Sequence, residues 1–385
     1  MAKKKKYTLR KFINDVHLWL GLGSGIILFL VCLSGTALTF EKEIKALFTS
    51  ELKVGSGSTP MGIEALAENL NAEGTVNSVT IDHNPSEPYK FSVKTSPDDR
   101  RGTTFFVDQY TGEFSQAPAS PLDEFFMSMF RLHRWLLLDT EIGRPIVGIA
   151  TIIFFFIALS GVVLWFPKKM KWKNMKSGFK IKTSANWKRI NHDLHNTLGF
   201  YACIFLVIMT FTGLFWSFEW YKEAGSKVLG TPVFGGRGGP GIASEEDFDD
   251  TKILSISEIQ KIAAEELNYE GNTTISFPTE ENRVYNIRKY NNASWSPVTS
   301  DNLVIDRDGQ VLNKELFSDK PLNVQIASLI KPIHTGEIFG TFSKIIYFLA
   351  CLIATSLPVT GTLIWWNKRK KARKAPRPPK GEVAP

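Results

Sequence analysis

"DVHLWLG" (Asp15–Gly21) and "DLHNTLG" (Asp193–Gly199) are one pattern, D-x-H-x-x-L-G, written twice, and each copy runs directly into a long apolar stretch. The chain has only six histidines, so the pattern takes up a third of them. Sliding Asp15–Glu41 by 178 positions onto Asp193–Glu219 needs no gap. His17 then falls on His195, Ser34–Gly35 on Thr212–Gly213 and Phe40–Glu41 on Phe218–Glu219. A second pair of matching stretches, "SGVVLWFPKK" (Ser160–Lys169) and "TGTLIWWNKR" (Thr360–Arg369), follows at an offset of 200. Upstream of these, His133 and His334 take similar places, although their alignment needs a gap of a few residues.

Four uncharged runs accompany the repeated motifs: Leu18–Phe40, Pro145–Phe166, Asn196–Phe218 and Ile345–Trp366. Each is 22 or 23 residues long, against the roughly 20 needed to cross the hydrocarbon of a bilayer. They predict four transmembrane helices. Lysine and arginine then set the orientation. The first 17 residues carry six, residues 167–190 carry nine with no acid, and the tail from Asn367 carries eight. Residues 41–144 have ten basic and 16 acidic side chains, and residues 219–344 have 13 and 19. Both termini and the middle loop are therefore expected on the cytoplasmic side, with the two long segments facing outward. The net charge of +8 is explained by this asymmetry and calls for no nucleic acid. The first span resembles a signal peptide in its flanks, but its repeat partner is internal, so both read as retained helices. Cys32, Cys203 and Cys351 all fall inside spans, read as small core residues, and give the outward segments no disulfide.

The expected fold class is an α-helical integral membrane protein with a parallel two-fold internal repeat and two small α+β modules outside the membrane. A unit of two spans keeps its orientation when duplicated, so an axis along the membrane normal should relate the copies. The boundaries follow: residues 1–40 (basic terminus and first span), 41–144 (first module), 145–166 (second span), 167–190 (basic loop), 191–220 (third span), 221–344 (second module), 345–366 (fourth span) and 367–385 (basic tail). In the first module Gly62–Asn71 reads as a helix. "TVNSVTI", "YKFSVK" and "GTTFFVD" read as strands by their alternation, and a turn follows at Asp108–Phe114. In the second, "ISEIQKIAAEEL" is the helix, while "NRVYNIRKY" and "DNLVIDRDGQVL" supply strands and a turn. Gly112 and Gly309 suit the positive-φ position of those turns. The glycine-rich stretch 230–241 reads as a linker.

The axis sets His17 opposite His195 and His133 opposite His334, one imidazole pair at each side of the bilayer. Two imidazoles make a poor zinc site, which wants three or four ligands, and no cysteine or carboxylate cluster completes one. Two axial imidazoles on opposite faces of a porphyrin do satisfy a haem iron, because the macrocycle supplies the other four donors. Gly35, Gly213, Gly161 and Gly361, at matching places in the spans, would let a flat ring or a neighbouring backbone approach; close helix packing explains them equally. Cations for propionates stand near each pair: Arg10, Lys188 and Arg189 on the inner side, Arg131, Arg134, Arg144 and Lys331 on the outer. His192, one turn before His195, is the alternative ligand or a propionate contact; His195 is preferred because it obeys the repeat. Asp15 and Asp193 read as helix caps. Trp135, Trp216, Trp365 and Trp366 would line an electron route or form an interfacial belt.

The four spans, the D-x-H-x-x-L-G openings followed by [ST]-G, the "VDQYTGE" and "VIDRDGQ" turns, and the "SG..LW" and "TG..LW" closings resemble the PepSY-associated transmembrane family over nearly the whole chain. Within that family the chain is similar to bacterial inner-membrane ferric–siderophore reductases. The resemblance implies PepSY-like modules facing the periplasm and b-type haem held by His17, His133, His195 and His334; the two histidine pairs lead us to expect two such groups, with a single one left open. It further implies transfer of electrons across the bilayer to a ferric siderophore or other ferric chelate. The chain has no nucleotide-, flavin- or hydrolase-type motif, so a quinol or a cytosolic reductase would supply the electrons. The glycine-rich insertion departs from a regular PepSY pattern. Two other readings stand beside this one. PepSY modules elsewhere accompany proteases as inhibitory segments, which suggests a non-catalytic membrane regulator or sensor. The parallel repeat suggests a transporter, although none of the four runs holds the charged residues on which transporters rely.

Overall fold

The computed structural model describes residues 7–49, 54–55, 57, 59–96, 102–234, 242–244, 252–280 and 282–374; most of the glycine-rich stretch, 235–241, lies outside them. In the first half, α1 (Leu9–Leu38) is followed by α2 (Glu41–Ala46), α3 (Ile63–Glu68), the strands β1 (Thr75–Ile81), β2 (Tyr89–Lys94), β3 (Thr103–Val107) and β4 (Phe114–Gln116), then α4 (Asp123–Trp135) and α5 (Thr140–Trp165). The connection holds α6 (Trp172–Met175). The second half runs α7 (Trp187–Asp193), α8 (Gly199–Gly213), α9 (Glu219–Leu229), α10 (Ile256–Glu266), β5 (Thr273–Ser276), β6 (Val284–Tyr290), β7 (Ser300–Asp306), β8 (Val311–Glu315), α11 (Leu322–Thr335) and α12 (Gly340–Lys374).

Four helical stretches are long and apolar enough to cross a membrane: Leu9–Leu38, Thr140–Trp165, Trp187–Trp216 and Glu337–Lys370. Each begins before the uncharged run that announced it, because a helix need not start where the hydrocarbon does. α1 starts among the basic residues of the terminus, where the Thr8 side chain accepts from the backbone N–H of Lys11. At the other end of the chain α12 continues through "NKRKKARK". The third stretch begins at Trp187, with Asn186 as its cap. Asp15 and Asp193 therefore cap nothing. Asp15 accepts from the Tyr7 hydroxyl, and Asp193 accepts from Arg189 Nε and the Lys182 amide, tying the basic loop to the helix.

α1 and α8 each pack against both α5 and α12, so the four spans close a ring in the order α1, α5, α8, α12. Between the two ends of the bundle the interior narrows to Ala202, Leu206, Ala350 and Ala354, with Cys32, Phe154 and Met209 packed against them. All three cysteines are free.

Outside the spans the strands join into one antiparallel sheet of eight, in the order β4-β3-β2-β1-β5-β6-β7-β8. The two segments expected as separate modules therefore share a sheet, and the seam is the β1–β5 pairing, Ser78 opposite Ser276 through Ile81 opposite Thr273. One face alternates into a core with α3 and α10, in which Leu66, Val79, Phe91, Ile259, Ile275 and Ile287 are fully or almost fully buried. A bridge between the halves lies over the seam: Glu64 of α3 accepts from the amide and hydroxyl of Ser257 in the first turn of α10. The opposite face carries polar residues such as Thr80 and Thr274, whose hydroxyls meet at 2.9 Å. Gly112 and Gly309 occupy the turns with φ of 74° and 89°, as the sequence required.

Candidate functional site

His17 lies on α1, and His195 lies in a five-residue π-helical turn, Leu194–Leu198, between α7 and α8. The same sequence motif thus sits in two backbone settings, and a π-turn re-aims the side chains it carries. Across the ring of helices the two imidazole centroids are 6.4 Å apart, with their planes at 85°. His133 is in the last turn of α4, which ends on two consecutive left-handed residues, Leu136 (φ 57°) and Leu137 (φ 60°). His334 is in the last turn of α11, which ends on Gly336. These two imidazoles are also 6.4 Å apart, at 56°. The structure thus makes both histidine pairs that the repeat called for, one near the basic ends and one toward the sheet. His133 reaches Val31 of α1, fourteen residues beyond His17, so the tiers stand about 21 Å apart along that helix.

Hydrogen-bond geometry points to the nitrogen of each ring that carries the proton. His17 Nδ1 is 2.9 Å from Ser160 Oγ and 3.1 Å from the Ile157 carbonyl. His195 Nδ1 is 2.9 Å from Thr360 Oγ1, and His334 Nδ1 is 3.0 Å from Thr212 Oγ1. Each of these hydroxyls already donates its single proton to a carbonyl of its own helix: Ser160 to Ile157, Thr360 to Ser356 and Thr212 to Ile208. It can only accept from the imidazole. His133 Nδ1 meets the Val31 carbonyl at 2.9 Å, which is also only an acceptor. The geometry thus favours the Nδ1–H tautomer at all four rings, which leaves the Nε2 lone pair free, the form in which imidazole binds a metal. His133 and His334 lie outside the four spans. Burial holds both below the usual imidazole range, and the facing His133 adds to the effect at His334.

Four glycines make room for these rings. A Cβ on Gly213 would stand 2.9 Å from His334 Cε1, on Gly35 3.0 Å from His133 Cε1, on Gly361 3.1 Å from His195 Cε1, and on Gly161 3.4 Å from His17 Cε1. The sequence left open whether a flat ring or a neighbouring group came close here, and the nearest neighbour of each is an imidazole edge.

A cavity of about 530 Å³ surrounds the pair at the basic end, lined among others by His17, His195, Gly161, Gly361, Arg10 and Trp365. Arg10 donates to the Leu164 carbonyl at 2.7 Å, and Lys11, Lys168 and Lys368 share the lining. Lys188 and Arg189 do not line it, and Arg189 is held by Asp193 at 2.8 Å. Lys168 and Lys368 gave no signal in the sequence beyond general positive charge. His192 lines the cavity with its side chain about half exposed, 3.6 Å from Asp193; it is His195, not His192, that faces His17. At the sheet end Arg134 lies over the rings of Phe130 and Trp135. Burial, with the charge of Arg144 behind it, works against ionisation of Arg134. Arg144 Nε is buried without a hydrogen-bond partner. Arg131 and Lys331 are exposed. Trp216 packs on His334 with centroids 5.2 Å apart, whereas Trp366 is exposed.

Two imidazole nitrogens bound to opposite sides of one metal at about 2 Å each put the ring centroids roughly 6 Å apart, the separation seen in both tiers. Among the described residues no group of three or more His, Cys, Asp or Glu side chains could hold a metal ion, so each tier presents two imidazoles without a third side chain of those types. A macrocycle carrying its own four donors fits that shortfall.

The family model for the PepSY-associated TM region matches residues 15–368, and the chain belongs to that family. No curated protein matches the sequence.

Proposed function

We propose that this chain is a haem-containing electron carrier of the bacterial inner membrane, with its termini in the cytoplasm and its sheet in the periplasm. Its electrons would reduce ferric iron, most naturally a ferric siderophore, at the sheet side. The observation that carries the reading is the pair of 6.4 Å imidazole spacings, each made by rings whose Nε2 is free. We infer further that the two halves are copies related by a two-fold axis along the membrane normal. The strand order, which reads symmetrically outward from the seam, and the closed ring of spans support this. The shared sheet would then be a pair of fused PepSY-like modules.

His17 and His195 would hold one haem b, and His133 and His334 another. Bound there, the iron would supply one-electron transfer. The chain's own work is to hold the four imidazoles as neutral ligands and to bury the sheet-end pair away from water. Arg10, Lys11, Lys168 and Lys368 at one tier, and Arg134 and Arg144 at the other, present cations suited to propionates. Chelators of the hydroxamate and catecholate type bind Fe³⁺ far more tightly than Fe²⁺, so adding an electron is an economical way to free the metal. The electron donor would be a quinol or a cytosolic reductase.

Spectra of the purified protein, oxidised and dithionite-reduced, test the reading. The expected signature is low-spin, six-coordinate b-type haem at about two groups per chain. His17→Ala or His195→Ala should remove one group and His133→Ala or His334→Ala the other, with His192→Ala sparing both. A colourless, iron-free preparation overturns the proposal and favours a non-catalytic regulator. Loss of both groups from one substitution overturns the two-tier assignment.

A further inference from the structure

We propose that the Ser/Thr–Gly dipeptide of each span is a seat that positions a histidine carried by the partner helix of the same half. Three seats would act on their ligand through the hydroxyl and the fourth through a backbone carbonyl. The inference rests on the reading of the four histidines as haem ligands.

Each half uses its two dipeptides reciprocally. His17 of α1 sits on Ser160–Gly161 of α5, while His133, just before α5, sits against Val31 and Gly35 of α1. In the second half His195 sits on Thr360–Gly361 of α12, and His334, just before α12, sits on Thr212–Gly213 of α8. A ligand pair is formed between halves, but each ligand is oriented within its own half.

A seat has three parts. The glycine removes the Cβ that would meet imidazole Cε1. One residue earlier, the hydroxyl spends its proton on its own helix and turns a lone pair to Nδ1. Three residues before the hydroxyl stands a carbonyl that serves as a second acceptor. His17 uses both oxygens, Ser160 Oγ and Ile157 O. His195 and His334 take the hydroxyl, with the Leu357 and Met209 carbonyls beside them. His133 takes the carbonyl of Val31, and the Ser34 hydroxyl donates instead to Leu30 O at 2.7 Å and to the same Val31 O at 3.0 Å. Ser34 therefore shares His133's acceptor without itself accepting from the ring, whereas Ser160, which also donates to the carbonyl that His17 uses, accepts from its ring as Thr360 and Thr212 do. The sequence, which matches Ser34 to Thr212, gives no hint of this difference.

An acceptor at Nδ1 raises the basicity of Nε2 and fixes the ring's orientation, and a more basic axial ligand favours ferric over ferrous iron. Thr212→Val and Thr360→Val should therefore keep haem but raise the midpoint potential of one tier and change the low-spin EPR g-values. Thr212→Ser and Thr360→Ser should restore both readouts. Ser160→Ala should shift its tier less, because Ile157 O remains. Ser34→Ala should raise no potential. If a valine variant loses its haem while the serine variant keeps it, the seat stands as a positioning device; if both lose it, the seat idea fails. Bound haem with unchanged potential and EPR in both valine variants also overturns it, as does a rise in Ser34→Ala equal to that in Thr212→Val. Absence of haem from the unmodified protein is a different result, which sinks the reading of the histidines as ligands.

Discussion

Imidazole binds a metal only through a nitrogen without a proton, and here the protein makes that choice four times with oxygens from neighbouring helices. Glycines complete the arrangement, and the clearance each provides is unequal. A methyl group on Gly213, Gly35 or Gly361 would come within 2.9–3.1 Å of an imidazole carbon, against 3.4 Å at Gly161. The first three are closer than ordinary van der Waals contact, so the ring or the helix must move; at Gly161 the methyl fits. With haem held by these rings as proposed, Gly213→Ala, Gly35→Ala and Gly361→Ala are therefore expected to lower the haem content of the affected tier by half or more. Gly161→Ala should leave it nearly intact. Pyridine haemochrome assays across the four variants check the order, and equal loss in all four would mean that the rings are not what the glycines accommodate. The glycines were legible as matching positions in the repeat. Their neighbours were not, because a glycine's pattern in sequence looks the same whether a helix, a cofactor or a side chain comes close.

At the scale of elements, the strands with clear alternation, β1, β2, β3, β6 and β7, were readable from sequence. The four residues of β5, "TTIS", were not: that stretch is too short to show a period. Yet β5 joins the halves. The Glu64–Ser257 bridge above it depends on ionisation. Burial acts against the Glu64 carboxylate, but hydrogen bonds from the Ser257 amide and hydroxyl prevail and hold the group below the usual range. A carboxyl depressed in the folded state stabilises above its unfolded value, and this contribution is lost as pH falls through the folded one. Glu64→Ala should weaken the seam by about 1 kcal/mol after allowance for partial exposure. Amide exchange in β1 and β5 should quicken at neutral pH, and the difference from the unmodified protein should vanish in acid. A difference that persists unchanged below pH 3 would assign the effect to packing rather than charge. The π-turn at His195 was equally illegible, since "DLHNTLG" differs from "DVHLWLG" in no residue that demands it.

For the whole molecule, the charge asymmetry makes a directional claim. With a cysteine-free background and single cysteines at Thr104 in β3 or Lys182 in the basic loop, membrane-impermeant maleimide should label Thr104→Cys in spheroplasts. Lys182→Cys should react only after permeabilisation. The reverse pattern would invert the proposed direction of electron flow. The ring order of the spans gives the same picture a spatial form. α1 and α8 lie across the bundle from each other, so the cavity between His17 and His195 occupies the diagonal that neighbouring helices leave open. The small side chains between the tiers, Ala202, Ala350 and Ala354, let the bundle close again before the sheet-end pair.

Length and apolarity by themselves determined that four helices are long and apolar enough to cross a membrane, because hydrocarbon about 30 Å thick demands some 20 uncharged residues from a helix that satisfies its own backbone. Internal repetition likewise matched His17 to His195 without a gap, and His133 to His334 across a short one. Three things were decided only by the tertiary structure: that corresponding rings stand 6.4 Å apart, that an oxygen from another helix selects their tautomer, and that the two outer segments share one sheet. Each depends on a contact between residues a hundred or more positions apart, and nothing in a local pattern of side chains records which distant atom will be adjacent.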